Sequence, residues 1–173
     1  MRLSAQSVTV SAVGDTLHVR APGFHFVDGE ALDHLKSGGS VRFDFDLAVL
    51  ARPGGPAVAQ TRQRFNLSYD LWEERFAVAR IGTPARSATH LSQADAESWC
   101  LEQLTVPMSA FAALGPSAPF WIKLEYRVVD RNPPEPGVDE TFTLRGLIDR
   151  LSRRRTARTL GDSVEAGPFR LSN

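Results

Sequence analysis

Cysteine occurs once, at Cys100, which excludes an internal disulfide and any zinc site of the paired-cysteine kind. Lysine is nearly missing: of 20 basic residues only Lys36 and Lys123 are lysine, and the remaining 18 are arginine. No apolar run approaches the roughly 18 residues of a membrane-spanning helix. Twenty acidic residues balance the 20 basic ones, so no global field draws nucleic acid, and none is expected as a partner. The arginines are spread along the chain rather than gathered in one patch. The opening MRLSAQSVTV has one arginine and no apolar core, so no export leader is visible, although Ser4-Ala5-Gln6 is compatible with a leader already trimmed.

What is present is alternation. In GSVRFDFDLAVLAR, Val41, Phe43, Phe45, Leu47 and Val49 alternate with Arg42, Asp44, Asp46 and Ala48, the period of a strand with one buried face. A second run sets Phe65, Leu67 and Tyr69 against Arg62, Arg64, Asn66 and Ser68, with Pro53-Gly54-Gly55-Pro56 between the two. Reading Pro53-Gly54-Gly55 as a three-residue loop makes paired residue numbers sum to 108. Phe43 then faces Phe65 and Val41 faces Leu67 on the inside, while Asp44 faces Arg64 and Asp46 faces Arg62 outside. A third strand runs from Phe76 to Ile81. The intervening DLWEER reads as a hairpin connection, opened by Asp70, with Trp72 folded back over the sheet end. A fourth strand is Phe120 to Asp130, stopped by RNPPEPG. Weaker strand patterns cover Ser7 to Val13, Thr16 to Ala21 and Val164 to Leu171, the last placed at an edge by Gly167-Pro168.

Helical patterns are few. Asp28 is positioned to cap GEALDHLKS, which stops at Gly38-Gly39. In LSQADAESWCLEQL, Ser92 and Asp95 resemble a capping box, and Ala96, Trp99, Cys100 and Leu104 share a face. Thr143 to Arg158 carries an apolar stripe of Leu144, Leu147, Ile148 and Leu151 flanked by arginines. The pattern predicts one mainly β domain over residues 1–173: an antiparallel β-sandwich with two or three appended short helices, the basic helix at about 143–158 among them. Clean alternation speaks against a parallel, doubly wound sheet.

The chemical inventory is thin. Cys100 lies on an apolar helix face, where a cysteine acts as a small hydrophobe, although His90 stands near enough in sequence to be weighed as its base. Asp44 and Asp46 share a face, but arginine neighbours and exposure suit structural ion pairs rather than a raised-pKa acid. His25, Asp28, Glu30 and His34 could supply nitrogen and oxygen ligands, yet no matching frame accompanies them. No catalytic residue, metal ligand or cofactor is therefore expected. The residues with a pull on a partner are Arg150, Arg153, Arg154, Arg155 and Arg158, suited to an anionic membrane surface or an acidic protein, and Trp72 in its loop.

Three passages, ALDHLKSGGSVRFDFDLAVLAR, RFNLSYDLWEERFAV and FWIKLEYRVVDRNPPE, together resemble an uncharacterised bacterial family of exported, β-rich domains. The likeness covers about residues 15–135. It rests on Phe43 and Phe45, then Leu67, Ser68 and Tyr69, then Phe76, then Arg127, Asp130, Pro133 and Pro134; LIDRLSRRR has no counterpart in it. The resemblance implies a periplasmic or cell-envelope setting, with the cytoplasm as the alternative, and no particular chemistry. The expectation is a non-enzymatic binding protein for an unidentified protein or small ligand. A protein attaching to membrane or an acidic partner through Leu144–Arg158 is the second reading. A small hydrolase using Cys100 or the His25 region is the third.

Overall fold

In the computed structural model, the described residues are 8–115, 117–129 and 161–171. They form nine strands, β1 (Thr9–Val13), β2 (Thr16–Arg20), β3 (Ser40–Leu50), β4 (Ala57–Asp70), β5 (Arg75–Ile81), β6 (Arg86–Leu91), β7 (Thr105–Pro107), β8 (Phe120–Val129) and β9 (Ser163–Phe169). Two α-helices, α1 (Gly29–Lys36) and α2 (Gln93–Glu102), and a 3-10 segment, Met108–Leu114, complete them. All strand pairs are antiparallel, in a six-stranded sheet ordered β6-β5-β4-β3-β8-β9 and a three-stranded sheet ordered β1-β2-β7. This is the expected mainly β, sandwich-like architecture with short helices. The segment expected to be a basic helix at 143–158 lies outside the described residues.

The β3–β4 register follows from the sequence pattern, with Val41 opposite Leu67, Phe43 opposite Phe65, Asp44 opposite Arg64 and Asp46 opposite Arg62. The loop differs. Pairing shifts between Val49 and Leu50, so Leu50 faces Ala57 and residues 51–56 link the strands. Pro53 and Gly54 form the corner of a β-turn closed by the Gly55 N–H donating to the Arg52 carbonyl at 3.0 Å. Gly54 has φ +64°, a conformation that proline at the preceding position favours and that a side chain would strain. Pro56 lacks an N–H and cannot open the ladder, which places the first pair beyond it.

The inner face of the large sheet is continuous. Val128 lies opposite Phe43, Tyr126 opposite Phe45 and Leu124 opposite Leu47, while Val78 lies opposite Leu67. Helices α1 and α2, the 3-10 segment and the small sheet cover it, and Leu17, Val19, Leu35, Cys100, Val106 and Phe111 belong to the same buried cluster. At its centre is Phe26, from the loop ahead of α1, with ring centroids 5.0 Å from Phe43 and 4.8 Å from Phe45, both edge-on. Each such phenylalanine contributes about 2–3 kcal/mol by burial, so the loop holding Phe26 is as much a part of the core as the strands.

Local signals explain the helices, with one correction. Ser92 caps α2 by accepting from the Asp95 N–H at 3.2 Å. Asp28 occupies the cap position of α1 but its side chain makes no capping bond; only its carbonyl accepts, from Leu32 N–H. Helix α1 ends in a Schellman arrangement: Gly38, at φ +90°, donates to the Leu35 carbonyl and Gly39 to that of His34.

The outer face carries the charges, and here two expectations are corrected. Asp46 is only 4% exposed rather than solvated. Its carboxylate accepts from Arg62 Nε at 2.8 Å and Gln60 Nε2 at 3.3 Å on β4, and from Arg127 Nη2 at 3.2 Å on β8. The central strand is flanked by long side chains from both neighbours, and these roof it over. Asp44 does not take the facing Arg64; its Oδ1 lies 3.1 Å from Nε of Arg42, two residues back on its own strand.

Candidate functional site

The β4–β5 hairpin carries the most exposed large apolar side chain among the described residues. Asp70 and Arg75 close the ladder, and the Asp70 carboxylate then turns the chain by accepting the N–H groups of Trp72 at 2.8 Å and Glu73 at 3.0 Å. Those two bonds hold the Asp70 carboxyl below the usual carboxylate range, the Glu73 N–H contributing most. Glu74 makes the last step at φ 54°, in the left-handed region, and returns the chain to β5.

The side chain of Trp72 does not fold back over the sheet. It is 94% exposed, and the neighbouring Leu71 is 53% exposed. The sheet end under the hairpin is already filled by Tyr69 and Phe76, whose ring centroids lie 4.8 Å apart, so the indole has no inner face to cover.

The tip is braced despite its exposure. Glu73 Oε2 lies 2.9 Å from Nε2 of His90, near the end of β6, and His90 Nδ1 lies 2.9 Å from Thr89 Oγ1. A Cβ added at Gly38, past the end of α1, would sit 3.5 Å from Leu71 Cδ1, an ordinary packing distance, so the hairpin lies beside the end of that helix and it is the φ of +90°, not space, that calls for glycine there. Asp70, Glu73 and Glu74 give the rim an acidic character, with Arg75 and His90 beside them. An exposed indole on a turn whose backbone is hydrogen-bonded offers a broad apolar surface and one N–H donor, the combination found at energetic centres of protein interfaces.

The other candidates separate. Cys100 is fully buried, and burial together with the Glu97 carboxylate pushes its thiol well above the ordinary range, leaving no nucleophile. His90, weighed as its base, is bound to Glu73 instead. His25 and His34 diverge: His25 Nδ1 lies 2.7 Å from Glu97 Oε2, whereas the His34 ring lies over Gly39 at the far end of α1. Among the described residues no group of three or more His, Cys, Asp or Glu side chains could hold a metal ion. Arg150, Arg153, Arg154, Arg155 and Arg158 lie outside the described residues, and so does the segment proposed for membrane attachment.

Sequence reading passed over Glu97, which is 3% exposed and accepts the N–H groups of Phe26 at 3.0 Å and Val27 at 2.9 Å. A signal existed. Residues 97, 100, 101 and 104 follow helical spacing along the buried stripe, so a carboxylate heads an otherwise apolar row and must find partners inside.

No known protein family, curated protein or solved structure matches this chain.

Proposed function

We propose that the protein is a non-enzymatic interaction protein of the bacterial cell envelope, and that it docks a protein partner through the β4–β5 hairpin tip. The observation that carries the reading is Trp72, 94% exposed beside the half-exposed Leu71 on a turn held by Asp70 and braced by the Glu73–His90 contact. An indole exposed to water gains by entering an apolar recess. A braced turn lowers the ordering cost of binding. The acidic rim favours a partner recess edged by basic residues and disfavours an anionic bilayer, because like charges would meet at the surface. The envelope setting is supported by the motif resemblance.

The test is site-specific photocrosslinking in the source cells. A benzophenone amino acid replaces Trp72 in one variant and Val58, an exposed position remote in sequence from the tip, in another. The expected result is a discrete adduct from position 72 alone, recovered with the envelope fraction and lost when Leu71→Ser is added. Identical adducts from both positions would remove the docking role; recovery with cytoplasmic proteins only would remove the envelope setting.

A further inference from the structure

We propose that the outer face of the six-stranded sheet is a second docking surface, which grips an extended, carboxylate-rich segment of a partner protein through the guanidiniums of Arg62, Arg64 and Arg127. This does not depend on the hairpin tip. It starts from Asp46, a buried carboxylate on the central strand, which binds Arg62 from one neighbouring strand at 2.8 Å and Arg127 from the other at 3.2 Å. Both arginine side chains are nonetheless 53% exposed. Asp46 therefore fixes where two guanidiniums stand without hiding them, and part of the ordering cost of binding is met before a ligand arrives.

A guanidinium presents five N–H donors in a planar fork. Arg62 meets Asp46 through Nε and Arg127 through Nη2, so one edge of each fork anchors the side chain and the exposed remainder faces solvent. Such a fork suits bidentate capture of a carboxylate. Arg64 adds a third, exposed group in the same row as Asp44 and Arg127.

The spacing selects the shape of the partner. Arg62 and Arg64 are alternate residues on one strand face, about 7 Å apart along β4. An extended peptide with acids at alternate positions repeats at about the same 7 Å. Arg127 lies two strands from Arg64, about 10 Å across the sheet, so a strand-like segment laid on the face meets arginines on both flanks. The interleaved acids select the chemistry. Asp44 lies against Arg42 at 3.1 Å and Glu125 against Lys123 at 2.7 Å. A uniformly charged phosphate polymer would be forced against those carboxylates, whereas a peptide can set uncharged residues over them.

The test uses the full chain and fluorescence polarisation of a labelled peptide of repeated Glu-Thr units, with a Gln-Thr peptide and inorganic polyphosphate in parallel. The expected result is saturable binding of the Glu-Thr peptide alone, weakened about tenfold by Arg64→Gln and by Arg127→Gln, as loss of a charge-assisted contact would give. Trp72→Ala should leave this affinity unchanged, which separates the two surfaces. Arg64 takes no part in the contacts to Asp46, so Arg64→Gln tests the face without disturbing its anchor; thermal melting checks both variants. No saturable binding of the Glu-Thr peptide, equal binding of Gln-Thr, or tighter arginine-dependent binding of polyphosphate would each overturn the proposal.

Discussion

Glu97 and Val27 lie 70 positions apart in the chain and meet in the interior, where the Val27 N–H donates to Glu97 Oε1 at 2.9 Å. The same oxygen accepts from Phe26 N–H, and the other lies against His25. Helix α2 thus holds the loop that delivers Phe26 onto Phe43 and Phe45. Removing the carboxylate leaves two buried donors unsatisfied, each costing about 1–3 kcal/mol. Glu97→Ala should lower unfolding stability by about 2–4 kcal/mol. Glu97→Gln keeps an acceptor oxygen for the backbone and should lose about 1–2 kcal/mol. Urea unfolding checks both; an alanine variant within about 0.5 kcal/mol of wild type would mean the loop is held by Phe26 packing alone.

Cys100 sits on the same helix one turn on, with its thiol pushed up by burial and by the Glu97 carboxylate. Thiolate is the reactive form. Native protein should therefore resist a thiol reagent such as Ellman's at neutral pH, and the single thiol should react at once in denaturant. Rapid stoichiometric labelling of the native protein would contradict the placement of Cys100 in the core.

The β3–β4 register was legible because its determinants are local: two-residue alternation on both strands and a Pro-Gly-Gly bend between them. The Schellman end of α1 and the Ser92 cap were legible for the same reason. Strands β6 and β7 and the 3-10 segment were not. RSATHL and TVP are short and polar or broken by proline, and they become strands only when β5 and β2 offer edges to pair with. Asp46 reads as a solvated acid until β8 is known to flank β3 on its other side, since one of its three side-chain partners, Arg127, comes from there. Trp72 was legible as a loop residue, but its outward direction depends on Tyr69 and Phe76 having already filled the sheet end.

Tyr126 gives the pH dependence a sign. Burial, with Asp28, Asp162 and Glu97 nearby, pushes its phenol up to about 12. Tyrosinate is thus disfavoured in the folded chain, and the stabilising effect is fully present below the unfolded value, near 10. It is lost as pH rises from there towards 12, where the unfolded chain ionises and the folded one does not. Absorbance titration at the tyrosinate band should show the late-titrating phenol, and Tyr126→Phe should remove it and flatten the decline of stability over that window. A late phenol persisting in Tyr126→Phe would contradict this account of Tyr126.

Asp46 is the case in which packing and surface chemistry can be told apart. A fully buried ion pair broken on one side costs about 3–5 kcal/mol because the orphaned charge cannot reach water. Here the orphans would be Arg62 and Arg127, both 53% exposed, so they rehydrate. Asp46→Ala should then cost only about 1–2 kcal/mol. In a double-mutant cycle with Arg127→Gln the coupling should stay at or below about 1 kcal/mol after solvent screening. Coupling well above that would mean the Arg127 head is sealed from water. Asp46→Ala should at the same time loosen the guanidiniums from which peptide binding is proposed, so affinity for the Glu-Thr peptide should fall although no ligand contact has been removed. Affinity that held while stability fell would make Asp46 a staple between strands and nothing more.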